Sequence, residues 1–189
     1  QARQCSAACC YCACCNYLRA VATMSTVTEN IRVAVVGAGG RMGQMLIEAI
    51  AAADDCVLHG AFDRADSALL GSDASAFTGK PCGVLVSPDF AQGLAGAHAL
   101  IDFTRPEGTL EHLAACRKLG VNMVIGTTGF SEAQKAQIAD AAKDIAIVMA
   151  PNMSVGVNVT FKLLEMAAKA LSEGYDIEFI EAHHRHKVD

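Results

Sequence analysis

The chain has 189 residues, of which 52% are hydrophobic and 19% are charged, and its formal net charge is −5. This composition excludes a disordered chain and supplies enough apolar material to bury a core in one domain and part of another. The acidic balance argues against nucleic acid as a partner, since basic residues cluster only near the C-terminus. No apolar run approaches the ~20 residues that span a bilayer, so the sequence predicts a soluble globular protein with no membrane partner.

Cysteine is concentrated at the N-terminus, where six of the nine residues lie within the first fifteen positions. A zinc site usually needs a second, separated ligand pair, and none is nearby. Two interpretations stay open: a targeting peptide, or sequence upstream of a natural start at Met24. We expect residues 1–23 to be disordered and to lie outside the fold. Cys56, Cys82 and Cys116 are predicted to be small buried apolar residues in a reducing compartment.

The most informative stretch is 31–43, IRVAVVGAGGRMG, in which a short apolar run leads directly into glycines. The helix predicted to follow covers Met45 to Ala53. A strand, a glycine turn and a helix in this order are typical of dinucleotide-binding folds, because glycine lets a pyrophosphate approach the backbone at the helix N-terminus. The spacing is G-x-x-G-x-x-G at Gly37, Gly40 and Gly43, whereas the commoner G-x-G-x-x-G would place glycine at Met42.

A second apolar run, Cys56 to Phe62, ends at Asp63, 20 residues after Gly43. Dinucleotide folds place an acid at about this point to accept hydrogen bonds from the adenosine ribose. Arg64 follows, and its guanidinium could hold a 2'-phosphate, so the sequence predicts that both NADH and NADPH are accepted. The alternative is an ordinary strand end that carries a solvated Asp-Arg pair.

Further strands alternate with helices along the chain, which predicts an α/β fold with a doubly wound, Rossmann-like parallel sheet. Residues 64–80 are predicted to form a loop with at most a short helix around Ser67–Leu70. The predicted strands are 83–87, 99–103, 121–125 and 145–150, and the predicted helices are 90–97, 106–119 and 131–143. Ligands bind such sheets beyond the carboxyl ends of the strands. The loops expected there are 37–43, 63–64, 104–107, 126–130 and 150–153, although ordinary turn chemistry could explain the last two.

The pattern changes after residue 153. Ser154 is predicted to cap a helix from Val155 to Leu171 that Gly174 ends, and the alternating residues 176–182 predict a strand with one wet face. This strand delivers the cluster HHRHK at 183–187. A solvated tail, a zinc site and a pocket for a small anionic substrate with a histidine or lysine proton donor are the three interpretations; the neighbouring cations disfavour zinc, and no metal is expected.

Five segments, taken together, resemble bacterial dihydrodipicolinate reductases, the 4-hydroxy-tetrahydrodipicolinate reductases of diaminopimelate and lysine biosynthesis. They are GAGGRMG, IDFTRPEGT, VIGTTGF, APNMSVGVNV and EAHHRHKVD, and the resemblance runs from residue 31 to residue 189. It implies an NAD(P)H-dependent reductase of a small cyclic dicarboxylate, working in the cytoplasm as a homotetramer. In that family the last segment continues into a Pro-Ser-Gly-Thr stretch that binds a substrate carboxylate, and this stretch is absent here.

The resemblance also implies roles for individual residues. His183 and Lys187 would transfer the proton, and His184 would contact the substrate. The residues implied to contact NADH or NADPH are Gly37, Ala38, Gly39, Gly40, Arg41, Met42, Asp63, Arg64, Gly126, Thr127, Thr128, Ala150, Pro151, Asn152 and Met153.

The resemblance places a dinucleotide-binding domain at residues 24–153 and the start of a second, α+β substrate and oligomerisation domain at 154–189. Because the family's C-terminal part is missing, we expect the 189-residue chain to bind NADH weakly at best and to lack turnover. Two alternatives stay open. One is another amino-acid-pathway dehydrogenase, such as a homoserine dehydrogenase, which the HHRHK cluster disfavours. The other is an inactive nucleotide-binding module.

Overall fold

A computed structural model describes residues 30–180 and 182. Its centre is a six-stranded, all-parallel sheet in the order β3-β2-β1-β4-β5-β6. The strands are β1 Ile31–Val36, β2 Cys56–Phe62, β3 Val86–Ser87, β4 Ala99–Asp102, β5 Asn122–Ile125 and β6 Ile147–Met149. The chain winds outward from β1 to β3 and then returns to the other side of β1 for β4. The predicted doubly wound parallel sheet is therefore confirmed.

Both faces of the sheet are covered, which explains why the last four residues of the central strand β1 are apolar and buried. Val33 and Val35 of β1 belong to one buried cluster, together with Ile47 and Ile50 of the first helix. The alternate residues of β1 belong to a second buried cluster on the opposite face. A strand has a side-chain period of two, so a continuous apolar run such as VAVV supplies both cores at once.

The helices begin and end close to the predicted signals. They are α1 Arg41–Ala52, α2 Phe90–Gly93, α3 Pro106–Leu119, α4 Glu132–Ala141 and α5 Val155–Ala170, with one turn of 3-10 helix at Ala76–Thr78. Pro106 stands in the first turn of α3, and Gly120 ends that helix with φ +69°. Ser131 and Gln134 form the predicted reciprocal capping box at the start of α4. Ser154 caps α5 by accepting the N–H of Val157.

Several boundaries differ from the predictions. Helix α1 begins four residues early, because Gly40 already has the extended backbone of a helix cap. The short helix allowed for around Ser67–Leu70 is a series of turns. Strand β3 contains only two of its five predicted residues. Gly83 has φ +81° and donates its N–H to Asp73, so the chain is bent where the strand was predicted to begin.

The three scattered cysteines are not all buried as predicted. Cys116 lies in the core, and its burial raises the pKa of the thiol to about 12, so it is an inert apolar residue. Cys56 is half-buried, whereas Cys82 is exposed. The prediction for Cys82 was wrong because its backbone N–H donates to Asp73, which keeps this residue in a surface turn.

After β6 the chain carries much exposed apolar surface. Helix α5 ends at Ala170, and Val155, Leu163 and Met166 on it are all more than half exposed. The prediction of a strand at 176–182 was wrong. The described residues 176–180 and 182 form no strand, and Ile180 is 96% exposed. A strand needs a partner backbone, and the part of the chain that the structure describes offers none beside this segment.

No helix within residues 30–180 is long and apolar enough to cross a membrane. The cysteine-rich segment 1–23 and the cationic cluster 183–187 both lie outside the described residues.

Candidate cofactor site

The turn between β1 and α1 requires glycine at several positions. Gly37 has φ +70°, and its carbonyl accepts the N–H of Gly40 at 2.9 Å. A Cβ atom on Gly43 would lie 2.1 Å from the same carbonyl oxygen, so only glycine lets α1 start this close to the turn. Gly40 precedes α1 and offers no side-chain cap to the N–H groups of its first turn. The predicted strand, glycine turn and helix are confirmed, with the helix N-terminus directed at the carboxyl edge of the sheet.

Asp63 lies beside this turn, at the end of β2. Its Oδ2 accepts the N–H of Gly39 and the hydroxyl of Ser67, each at 3.0 Å, and its Oδ1 accepts the N–H of Arg64 at 2.9 Å. A Cβ atom on Gly39 would lie 2.6 Å from Oδ2, so glycine is needed here for the approach to the carboxylate. The two parts of the site predicted from sequence, the glycine turn and the acid, are therefore in direct contact.

The Arg64 side chain reaches into solvent. It is 83% exposed, and its Nε lies 3.5 Å from Asp66, which is also exposed. An exposed pair of this kind contributes little, so the guanidinium can leave Asp66 for another anion.

The loop after β4 adjoins the glycine turn on its other side. A Cβ atom on Gly37 would lie 3.3 Å from the Thr104 methyl group, so the two loops are in contact where the strand order reverses. In open α/β sheets this crevice is the usual ligand site. The next loop follows β5, where the ring of Phe103 fills the space that a side chain at Gly126 would occupy, 2.0 Å from its Cβ position.

A buried carboxylate joins the loops after β4 and β5. Asp102 is fully buried, and its Oδ1 accepts the N–H of Thr104 at 2.8 Å and the Thr104 hydroxyl at 2.7 Å. The Thr127 hydroxyl donates to the same oxygen at 3.4 Å and accepts the hydroxyl of Thr109 at 3.0 Å. His112 Nδ1 lies 2.8 Å from the other carboxylate oxygen. Burial acts to raise the pKa of Asp102, but the hydrogen bonds from His112 and Thr104 outweigh it and hold this pKa below its usual value.

Asp102, Thr109 and His112 were not among the residues predicted from the sequence. An acid at the end of a buried strand was the available signal, because a carboxylate at such a position needs partners. The partners themselves lie up to 25 positions away.

The loop after β6 is exposed and is organised partly by its own side chains. The N–H of Ala150 donates to the Ile125 carbonyl at 3.2 Å, which keeps this loop beside the end of β5. Asn152 Oδ1 accepts the N–H of Ser154 at 2.8 Å, and its carbonyl accepts from the Asn158 side chain. The structure thus places Ala150, Pro151, Asn152 and Met153 at the same edge as the other predicted cofactor residues.

The residues predicted to act on substrate, His183, His184 and Lys187, lie outside the described residues, so their positions stay predictions. Within residues 30–180 and 182, no group of three or more histidine, cysteine, aspartate or glutamate side chains is arranged to hold a metal ion.

The sheet order, the glycine turn and the acid that contacts it define an α/β protein of the dinucleotide-binding class. A family model described as dihydrodipicolinate reductase, N-terminus, matches residues 31–153, and its C-terminus counterpart matches residues 156–189. The chain belongs to the dihydrodipicolinate reductase family.

Individual relatives agree with this assignment. The chain is 66% identical over 161 residues to the 4-hydroxy-tetrahydrodipicolinate reductase of Janthinobacterium sp. (strain Marseille), covering 85% of this chain and 60% of that protein. It is 65% identical, with the same coverage, to the enzyme of that name from Herminiimonas arsenicoxydans. The chain thus spans about 60% of the length of the curated relatives it matches.

Among solved structures, the dipicolinate-bound dihydrodipicolinate reductase from Paenisporosarcina sp. TG-14 is 29% identical, with a TM-score of 0.62. The match covers 74% of this chain and 54% of that one. An amine dehydrogenase from Mycobacterium smegmatis, 22% identical with a TM-score of 0.52 over 62% of this chain and 38% of that one, shares the fold.

Proposed function

We propose that this chain belongs to an NAD(P)H-dependent reductase that converts 4-hydroxy-tetrahydrodipicolinate to tetrahydrodipicolinate in lysine and diaminopimelate biosynthesis. The observation that carries the proposal is the contact between the Gly39 N–H and the Asp63 carboxylate in a chain of this family. In dinucleotide-binding folds a glycine turn of this kind binds the pyrophosphate, and an acid at this position binds the ribose. The contact brings these two features together.

The residues of the glycine turn fit a dinucleotide. Gly37, Ala38, Gly39, Gly40, Arg41 and Met42 would hold the pyrophosphate through backbone N–H groups and the positive end of the α1 dipole. Asp63 accepts three hydrogen bonds in the structure, and an ionised carboxylate has about four lone-pair positions, so it can still accept a ribose hydroxyl. Arg64 would pair with the 2'-phosphate of NADPH, which supports the use of either cofactor.

The loops after β5 and β6 would hold the nicotinamide end. Gly126, Thr127 and Thr128 belong to the first loop, and Ala150 to Met153 belong to the second. The bound dinucleotide supplies the hydride. His183 and Lys187 would then deliver the proton that the reduced substrate requires, while His184 contacts the dicarboxylate. Hydride and proton together replace the 4-hydroxyl group of the substrate, which leaves as water. A lysine and histidines adjacent in the sequence suit a dicarboxylate substrate, because such side chains attract two carboxylates and also carry a proton.

The organisation of the chain belongs to the same proposal. A nucleotide domain at residues 24–153 and the start of a substrate domain at 154–189 are supported by the two family models, which meet between residues 153 and 156. The exposed apolar side chains of α5 support assembly through the second domain, and a homotetramer is proposed. The cytoplasm is the proposed location, in agreement with the biosynthetic reaction and with the unpaired thiols of Cys56, Cys82 and Cys116.

A chimera tests the activity. Residues 1–189 would be joined to the remaining C-terminal part of the Janthinobacterium relative, and NADH oxidation would be followed with 4-hydroxy-tetrahydrodipicolinate as substrate. We expect steady oxidation by the chimera and none by residues 1–189 alone, since the latter spans only part of the relatives' length.

Two controls make the chimera assay specific. The first replaces the substrate with aspartate semialdehyde, the substrate of a homoserine dehydrogenase, and no NADH oxidation is expected. The second is the thermal unfolding of the chimera. A folded chimera that binds NADH and leaves the dicarboxylate unreduced would contradict the proposed function.

A further inference from the structure

We propose that Asp102 and Thr127 are positioning residues, whose side chains fix the two loops beside the cofactor without contacting the cofactor, and that His112 orients Asp102. This inference rests on the proposed dinucleotide site. It assigns Thr127 a different task from the direct cofactor contact expected from the family resemblance.

The side chain and the main chain of Asp102 bind two different loops. Its carboxylate accepts two hydrogen bonds from Thr104, in the loop after β4, and one from Thr127, in the loop after β5. Its backbone carbonyl also accepts the N–H of Gly126 at 2.8 Å. A shift of either loop would therefore break hydrogen bonds to a fully buried carboxylate, and such a loss is costly in the interior of a protein.

The Thr127 hydroxyl makes its hydrogen bonds within the protein. It donates to Asp102, it accepts from Thr109, and the residue is only 4% exposed. A hydroxyl has one hydrogen to donate, and this one is directed at Asp102. What Thr127 offers to a ligand is therefore its backbone, whose position the buried hydroxyl determines.

His112 completes the arrangement from α3. An ionised carboxylate can only accept, and the lowered pKa of Asp102 keeps it ionised at neutral pH, so His112 Nδ1 carries the hydrogen in this pair. The other side of the imidazole packs on Phe90, with ring centroids 4.7 Å apart, and Phe90 in turn contacts the ring of Phe62, which precedes Asp63. The imidazole is thus held on two sides, which fixes the rotamer of Asp102.

Matched pairs of variants in the full 189-residue chain test the inference through NADH binding, measured by fluorescence titration together with thermal unfolding. Thr127→Val removes the hydroxyl at nearly constant volume, and Thr127→Ser retains it. We expect the Kd for NADH to rise about fivefold to tenfold for Val, the scale of one lost hydrogen bond, and to stay within about twofold of wild type for Ser. Thr160→Val is the control, because the Thr160 hydroxyl bonds only within α5.

Asp102→Asn is a further single variant, and His112→Asn with His112→Leu forms the second matched pair. Asp102→Asn places an amide donor among the donors of Thr104, Thr127 and His112. We therefore expect its affinity for NADH to fall at least as much as that of Thr127→Val. His112→Asn retains a donor near the Nδ1 position, and we expect it to bind NADH more tightly than His112→Leu. A residue that only stabilised the fold would lower the melting temperature and leave the Kd of the folded protein unchanged.

The outcomes separate this inference from the proposed function. Wild-type protein that binds neither NADH nor NADPH would overturn this inference, and the chimera assay would then decide the proposed function on its own. Wild-type binding with an equal Kd for Thr127→Val and Thr127→Ser would overturn the positioning role alone. If Asp102→Asn does not fold, the comparison of Thr127→Val with Thr127→Ser decides whether the positioning role holds.

Discussion

The N–H of Gly39 donates to Oδ2 of Asp63 over 3.0 Å, and this hydrogen bond ties the glycine turn after β1 to the end of the neighbouring strand β2. The turn and the acid are 24 positions apart in the chain. Their contact turns two separate sequence signals into one surface, on which backbone N–H groups and a carboxylate face the same crevice. The site is therefore sensitive to any atom added between them.

Gly39→Ala adds such an atom. The new Cβ would lie 2.6 Å from Asp63 Oδ2 and 2.9 Å from a methyl group of Leu69, so the carboxylate must move away from the turn. We expect the Kd for NADH to rise by roughly tenfold or more, on the scale of a displaced charged hydrogen bond. Titration of NADH fluorescence measures this. Gly156→Ala in α5 is the matched control, because its Cβ would meet no atom nearer than 3.8 Å. Equal affinities in the two variants would contradict the assigned geometry.

Arg64→Ala tests the choice between the two cofactors. Only NADPH carries a 2'-phosphate for this guanidinium to pair with, and the side chain is exposed and weakly held by Asp66. We expect the variant to lose affinity for NADPH while the Kd for NADH changes by less than about twofold. Arg117→Ala serves as the control, since Arg117 pairs with Asp140 and Asp144 away from the site. An equal loss for NADH and NADPH would remove Arg64 from this role.

The lowered pKa of Asp73 predicts how the stability of the protein changes with acid pH. Burial opposes its ionisation, but hydrogen bonds from the N–H groups of Ser75, Cys82 and Gly83 and from the Ser75 hydroxyl outweigh burial and lower its pKa from 3.8 to about 2. A lowered pKa in the folded state stabilises the protein above the unfolded value, and this stabilisation is lost as the pH falls from 3.8 towards 2.

Asp73→Asn should therefore destabilise the protein at neutral pH, and its difference from wild type in free energy of unfolding should shrink across that acid window. Urea unfolding at a series of pH values measures this difference. Asp54→Asn, at an exposed position, is the control and should show a smaller difference at neutral pH. A wild-type advantage over Asp73→Asn that persists unchanged at pH 2 would show that the hydrogen-bonded carboxylate is not its source.

Lys187→Ala tests the proposed proton donor in the chimera described above. We expect turnover to fall by ~10²–10⁴, the range typical of general acid catalysis, with the Kd for NADH near that of the parent chimera. Lys169→Ala is a control of the same residue type, since Lys169 pairs with Glu165 on α5. Turnover equal to that of the parent chimera would demote Lys187 to a carboxylate contact and leave His183 as the proton donor.

The order of elements could be predicted from the sequence because each signal is local. The apolar run of β1 fills both cores, Pro106 and Gly120 mark the ends of α3, and Ser131 with Gln134 caps α4. The glycine turn and Asp63 could be predicted for the same reason, since strand, turn and helix follow one another directly.

The buried network could not be predicted, because it is created by strand pairing. Asp102 lies opposite Ile125 in the register of β4 and β5, and this register places Thr127 within reach of its carboxylate. The prediction of a strand at 176–182 was wrong for a related reason. Its alternating pattern is a necessary condition for a strand, but the hydrogen bonds must come from a partner that the pattern does not specify.

Direct titration of the 189-residue chain with NADH, with NADPH as competitor, tests whether the glycine turn and Asp63 form a dinucleotide site. We predict weak but saturable binding of one NADH per chain, detected by fluorescence. We also predict full displacement of that NADH by NADPH, followed by equilibrium dialysis because the two cofactors share the same fluorophore. Absence of saturable binding by folded protein, or NADH that NADPH cannot displace, would contradict the assigned site.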